Sequence, residues 1–237
     1  MVSRICVGEM QSIRGVIFDM DGVIVDSHPF HRKAWHDFLL SVGKDVAESD
    51  LDFILDGRKR HEILRHFLGE LPEAQLIQYG NRKDEFFQEV SSDVKPIPGV
   101  VEFVHHLSQK GIPAGVATSG SGQRTRFTLD LLQLSSHFKT VVTGNDVSEG
   151  KPDPTIYRVA CQQLEVKAEN VVAFEDAVSG IRAATGAGIR CVGVGGQQQA
   201  EKLREAGAEQ VIKNFVGVSI NWLESGLRRN GFHANSA

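Results

Sequence analysis

Short apolar runs alternate with longer stretches of helical periodicity, regularly so from about residue 100 onward. The first such run comes early, as Val16-Ile17-Phe18 behind Gly15. Asp19 and Asp21 follow at once, then Gly22 and a second apolar run, Val23-Ile24-Val25. A fully buried strand tolerates no charge inside it, so the two acids belong just past its carboxyl end. Ala34 with Phe38, and Trp35 with Leu39, then recur at helical spacing, and Pro29 suits a first helical turn. Ile63, Leu64, Phe67 and Leu68 form a second helical stripe. Leu76, Ile77, Tyr79, Phe86, Phe87 and Val90 form a third. No strand pattern occurs between Phe30 and Lys95, and the stretch closes on the proline-rich junction Val94-Lys95-Pro96-Ile97-Pro98-Gly99.

From there the pattern is regular. It predicts helices over 100–109, 122–134, 154–164, 178–184, 198–206 and 215–227, with Asp153 as a cap for the third. It predicts strands over 112–117, 140–143, 171–174, 190–194 and 211–212. Alternation of this kind gives an α/β fold, a Rossmann-like parallel sheet flanked by helices. The expected division is a core domain from 1–28 and 96–237, with 29–95 inserted after the first strand as a small helical cap over the sheet's carboxyl edge.

Composition narrows the class. The 237 residues suffice for one α/β core with an insert, and 41% hydrophobic with 24% charged residues excludes wholesale disorder. A net charge of -4 carries no basic footprint for nucleic acid. Cys6, Cys161 and Cys191 are scattered and form no CxxC pair, which points to a reducing cytoplasm with neither zinc site nor disulfide framework. No apolar run approaches the roughly 20 residues of a membrane span. The start, MVSRICVGEMQSIR, is too polar for a signal peptide and reads as a loose tail, as does 230–237. No coiled-coil seam suggests an assembly, so a monomer is expected.

Polar residues gather after the strands. The first strand ends in Asp19 and Asp21, and the second in Thr118-Ser119-Gly120-Ser121-Gly122. The third leads to Gly150-Lys151-Pro152-Asp153-Pro154, and the fourth ends in Glu175-Asp176. Parallel strands bring all four to one edge, where open α/β sheets bind ligands. Carboxylates, hydroxyls, free backbone N–H groups and one lysine suit phosphoryl transfer. They offer a nucleophile, oxygen ligands for a hard cation, and donors for phosphate oxygens.

DMDGVIVDS, VATSGS, GKPDP and FEDAVSGI, in this order, resemble the four motifs of the haloacid dehalogenase-like superfamily, and the resemblance covers the chain from Ile13 onward. The insert resembles the cap of its β-phosphoglucomutase-like branch, through HRKAW and through Gly57 followed by Arg60 in DGRKRHEIL. The resemblance implies that Asp19 is the nucleophile and Asp21 the general acid and base. Thr118, Ser119 and Gly120 would hold the transferring phosphate, and Lys151 would offset charge. Mg²⁺ would sit on Asp19, the Asp21 backbone carbonyl and Asp176, with Glu175 in or near its ligand shell. Oxygen-only ligands favour Mg²⁺ over zinc. His31 would serve the hinge or the substrate, and Arg60 a remote polar or phosphate group. Lys83, in NRKDEFF, is either a solvated helix charge or a substrate contact. Trp35 is expected in the cap's core. His28, His61, His66, His105, His106 and His137 lack metal-ligand spacing and are read as surface or core. GxGxxG is absent, so the glycines of 186–196 are turn residues.

The implied function is a Mg²⁺-dependent phosphatase of a small phosphorylated metabolite, with a sugar phosphate expected. A β-phosphoglucomutase is the alternative, weakened by two departures. The family's mutases carry Lys where this chain has Asp56, and a Lys-Asn pair where it has Ser121-Gly122. A non-enzymatic phosphoacceptor, as in response regulators, is opposed by the helical insert, Asp21 and the Glu175-Asp176 pair.

Overall fold

The computed structural model describes residues 12–226. The tail expected at 230–237 and the first eleven residues of the amino-terminal tail lie outside them. The chain enters through Gly15–Phe18 (β1), buried at every position. Three helices follow, His28–Ser41 (α1), Arg60–Leu68 (α2) and Glu73–Val90 (α3), with an unpredicted 3₁₀ stretch at Glu48–Leu55. Then come Val100–Gln109 (α4), Ala114–Ala117 (β2), Gly122–Leu131 (α5), Thr140–Val142 (β3), Thr155–Leu164 (α6) and Val171–Glu175 (β4). The order closes with Val178–Gly186 (α7), Arg190–Val194 (β5), Gln197–Glu205 (α8), Gln210–Ile212 (β6) and Ile220–Gly226 (α9).

The six strands form one sheet in the order β3-β2-β1-β4-β5-β6, and every pairing is parallel. Such a sheet is covered on both faces, and the pleat shows it. Val16 and Phe18 join Val172 and Phe174 on one face, under α4 and α9. Ile17 joins Val171 and Ala173 on the other, under α6 and α7. Phe18 stacks on Phe174 at 5.3 Å between ring centroids, and Phe103, Phe138 and Phe215 close around it. Each fully buried phenylalanine contributes roughly 1.5–3 kcal/mol, so this cluster anchors the strand that carries the acids.

The helices α1 to α3 have their own apolar centre, including Trp35, Phe38, Leu64 and Leu76. Two chain segments link them to the sheet side by side. Asp26 N–H donates to the Lys95 carbonyl at 2.9 Å, and Ile97 N–H to the Ile24 carbonyl at 2.9 Å.

Some expected boundaries shift for local reasons. The helix expected over 122–134 stops at Leu131, because Gln133 turns left-handed at φ 57. The helix expected over 215–227 begins only at Ile220: Phe215 is buried in the core and Gly217 has φ 81. Asp153 lies one residue outside the position flanking α6, which Pro154 holds, yet its carboxylate still accepts the Thr155 N–H at 2.8 Å. Among the described residues no helix is long and apolar enough to cross a membrane.

Candidate active site

β1 lies between β2 and β4, where the strand order reverses, so the loops after these three strands face one another. The Asp19 N–H still donates to the Phe174 carbonyl at 2.9 Å, which extends the ladder and aims the side chain out of the edge. The chain then turns at Gly22, whose φ is 74. The Asp21 carboxylate therefore stands beside that of Asp19 in one cavity between the sheet edge and the helices above.

Behind Asp19 is a buried cluster. Lys151 Nζ donates to Asp19 Oδ1 at 2.6 Å, to Glu175 Oε1 at 2.5 Å and to the Ala117 carbonyl at 3.0 Å. Tyr157 Oη donates to the same Glu175 oxygen at 2.6 Å. From the β2 loop, the Thr118 hydroxyl oxygen accepts the Gly120 N–H at 3.1 Å, leaving its own proton free to donate. The Ser119 hydroxyl donates to the Gly57 carbonyl at 2.5 Å, and its N–H has no partner among the described residues.

Asp21 is held by three side chains. Arg124 donates to it through both arms of its guanidinium, Nη1 to Oδ1 at 2.9 Å and Nη2 to Oδ2 at 2.8 Å. Ser27 Oγ donates to Oδ1 at 2.7 Å, and His31 Nε2 lies 3.0 Å from it. Lys83 Nζ sits 3.1 Å from His31 Nδ1, so the network assigns the His31 proton to Nε2. Arg60 Nη1 donates to Asp84 Oδ2 at 3.0 Å, and Ser121 Oγ to the same oxygen at 2.5 Å.

Asp19, Asp21, His31, Arg60, Lys83, Thr118, Ser119, Gly120 and Asp176 thus line a single cavity. Lys151 and Glu175 do not line it; they are buried behind Asp19. Lys83 is no solvated helix charge: it is 3% exposed and lies over the Trp35 and Phe87 rings. Trp35 is buried as expected. The reading of His28 as surface or core is corrected, since its Nε2 is 3.0 Å from Asp176 Oδ2 at the cavity wall. Arg124, Ser27, Asp84 and Tyr157 were not singled out by the motifs. Arg124 carried one usable signal. It stands three residues after the Ser121 cap, and side chains in a first turn lean back towards the helix start.

The family model of the haloacid dehalogenase-like hydrolases matches residues 16–194. The chain belongs to this family. It is 36% identical over 205 residues to the phosphorylated carbohydrates phosphatase of Thermotoga maritima, covering 85% of this chain and 94% of that protein. It is 32% identical over 215 residues to the validoxylamine A 7'-phosphate phosphatase of Streptomyces hygroscopicus subsp. limoneus, again over 85% and 94%. The crystal structure of β-phosphoglucomutase from Clostridium difficile superposes with a TM-score of 0.79 at 25% identity, covering 90% of this chain and 96% of that one. These likenesses place the chain in the β-phosphoglucomutase-like branch of the family.

In this haloacid dehalogenase-like site the burial of so many charges sets the electrostatics. Burial raises Asp19 to about 7, although Lys151 opposes it. Burial also raises Glu175 against Lys151, and Asp176 against His28. Burial would raise Asp21 too, but the Arg124 charge and then His31 outweigh it and hold the group well below the usual carboxylate range. Burial and then the Lys83 charge push His31 down to about 3, so it is neutral. Burial disfavours charge on His28, but its bond to Asp176 and the acids around it raise it to about 9.

A hard cation fits these residues. One oxygen from each of Asp19, Glu175 and Asp176 lies within 4.8 Å of the others, and Glu175 Oε2 is buried without a partner. Gly22 leaves the space: a Cβ there would fall 2.1 Å from Asp176 Oδ2. Gly22→Ala is therefore expected to weaken Mg²⁺ binding roughly 10–100-fold, read by titration calorimetry. An unchanged affinity would remove Asp176 from the ligand set. Protons compete for the same carboxylates. Asp19, raised to about 7, is protonated below that pH, so Mg²⁺ affinity should fall up to roughly tenfold per pH unit as pH drops from 7. A flat profile would mean that Asp19 holds no cation.

Proposed function

We propose that the chain is a Mg²⁺-dependent phosphatase of a small phosphorylated metabolite, a sugar phosphate, that works through an aspartyl-phosphate. One juxtaposition supports this most. Asp19 and Asp21 share a cavity with the Thr118 hydroxyl and the Ser119 N–H, while Lys151 sits 2.6 Å behind Asp19.

The steps follow from these groups. An Asp19 oxygen attacks phosphorus, an O–P bond forms, and the ester O–P bond breaks. The bonds from Arg124 and His31 keep Asp21 ionised at rest, so it serves as the acid only after leaving them with substrate in place, and then gives its proton to the leaving sugar oxygen. Thr118 and the Ser119 N–H hold the phosphoryl oxygens, and Lys151 offsets the charge gathered on Asp19. Asp21 then takes a proton from water as that water attacks the phosphoenzyme, releasing phosphate and restoring Asp19. Asp19, Asp176 and the Asp21 carbonyl would hold Mg²⁺, with Glu175 beside them, and the ion when bound would supply charge neutralisation for the phosphoryl group.

A β-phosphoglucomutase has one specific observation in its favour, the His31 bond to Asp21, which ties the acid/base to a helix above the sheet. Against it, Arg60 and Ser121 both engage Asp84, so groups that could hold the far end of a sugar phosphate satisfy one another. The deciding experiment is a phosphate-release screen over sugar phosphates with Mg²⁺, run beside a coupled assay converting β-glucose 1-phosphate to glucose 6-phosphate. Phosphate release is expected; isomerisation with little release would sink the phosphatase.

A further inference from the structure

We propose that Asp84 is a specificity-determining residue for the far end of the substrate: it admits monophosphates that end in neutral hydroxyls and rejects a second phosphate. This rests on the phosphatase reading above, which seats the transferring phosphate on Asp19 at the sheet edge.

A small ester held there points its other end at the opposite wall of the cavity, which Arg60 of α2 and Lys83 and Asp84 of α3 help to form. Four lysine or arginine side chains line the cavity, and each is already engaged. Arg124 is forked on Asp21, and Lys83 Nζ is 3.1 Å from His31 Nδ1. Arg58 lies 4.4 Å over the Phe53 ring and 3.5 Å from Asp56. That leaves Arg60 as the cation nearest to hand for a distant phosphate, and Asp84 takes it, accepting from Nη1 at 3.0 Å. Arg60 is pressed into this pairing. A Cβ at Gly80, one turn before Asp84 on α3, would lie 2.7 Å from Arg60 Nε, so the side chain lies flat along that helix. Ser121 donates to the same Asp84 oxygen at 2.5 Å, so its hydroxyl proton is spent as well. A second phosphate would have to part these groups and then sit against a carboxylate that is 5% exposed, where water screens little of the repulsion. A hydroxyl meets the opposite reception. Asp84 Oδ1 accepts no hydrogen bond among the described residues, the Lys83 ammonium being 3.9 Å away, so it is open to an O–H donor. A phosphate dianion has no proton to give it.

The probes are two pairs, glucose 6-phosphate with glucose 1,6-bisphosphate and fructose 6-phosphate with fructose 1,6-bisphosphate, all with Mg²⁺. Each is run as a substrate and as a competitor of p-nitrophenyl phosphate, so that a sugar that is not turned over is still read. The readout is the preference for monophosphate over bisphosphate within a pair, in kcat/KM or in inhibition constant. Wild-type protein should show a preference of about tenfold or more. Asp84→Asn keeps the shape and removes the charge, and should cut that preference about tenfold. Adding Arg60→Met should restore most of the preference, because the released guanidinium is what would hold the second phosphate. Mere loosening of the fold would weaken both members of a pair alike. A wild-type protein that binds the bisphosphates as well as the monophosphates would overturn the role of Asp84 and leave the phosphatase standing. So would a preference that Asp84→Asn leaves within twofold of wild type. If Asp84→Asn fails to fold, the wild-type preferences alone decide on the same terms. A wild-type protein inert towards p-nitrophenyl phosphate and every sugar phosphate would overturn the phosphatase and the role of Asp84 with it.

Discussion

Asp19→Asn is expected to abolish phosphate release, lowering kcat by about 10⁴-fold or more, because an amide oxygen cannot carry the phosphoryl group through a covalent intermediate. The fold should survive. The amide keeps the volume of the carboxylate it replaces, and Lys151 retains Glu175 and the Ala117 carbonyl as partners. Removing a buried carboxylate whose pKa burial raises to about 7 also relieves a desolvation cost. The check is acid-quenched mass spectrometry after mixing with substrate. Wild-type protein should show a phosphoaspartate on the peptide that contains Asp19, and the variant none. A phosphorylated variant, or turnover within tenfold of wild type, would move the nucleophile elsewhere.

Lys151→Met should produce the largest change in stability as well as a loss of activity. Lys151 is 3% exposed and is the cation bonded to both Asp19 and Glu175. Removing one partner from a buried ion cluster leaves the others uncompensated, at roughly 3–5 kcal/mol. That loss depends on pH. Without Lys151, burial is opposed less, and both acids rise further in the folded state than in the unfolded chain. A raised acid destabilises the fold above its unfolded pKa, near 4, and the penalty fades as pH falls through that region. The deficit in urea denaturation should therefore be widest at pH 7 and above and shrink towards about pH 4. Mg²⁺ should restore part of it, since a cation can take over the orphaned carboxylates. A deficit below about 1 kcal/mol at pH 7 would show that Lys151 is not the counterion its geometry implies.

Much of the sheet edge is legible in the order of residues. Val16-Ile17-Phe18 is a short apolar run that suits a strand buried on both faces, and such a strand puts Asp19 and Asp21 beyond its end. The same reasoning put Thr118, Lys151 and Glu175-Asp176 after apolar runs. Because βαβ connections force parallel strands, all of them had to meet at one edge. The four motifs then tied that edge to the haloacid dehalogenase-like hydrolases, whose model matches residues 16–194.

What periodicity left open is which buried charge meets which. Arg124 lies 103 residues from Asp21, Lys83 lies 52 from His31, and Arg60 lies 24 from Asp84. A helical stripe says only that a face turns inwards. Lys83 and Arg124 both read as polar positions, yet both are buried, Arg124 against the Asp21 carboxylate and Lys83 against His31 Nδ1. His28 looked inert for the same reason: its neighbour Asp176 arrives from another strand. The sheet, its polar edge and the acids along it are written in the order of residues, since burial and chain topology act locally. That Asp19 answers to Lys151 and Asp21 to Arg124 appears only once the chain is folded. A charge has no period, and its partner is chosen by which loops and helices are folded against it.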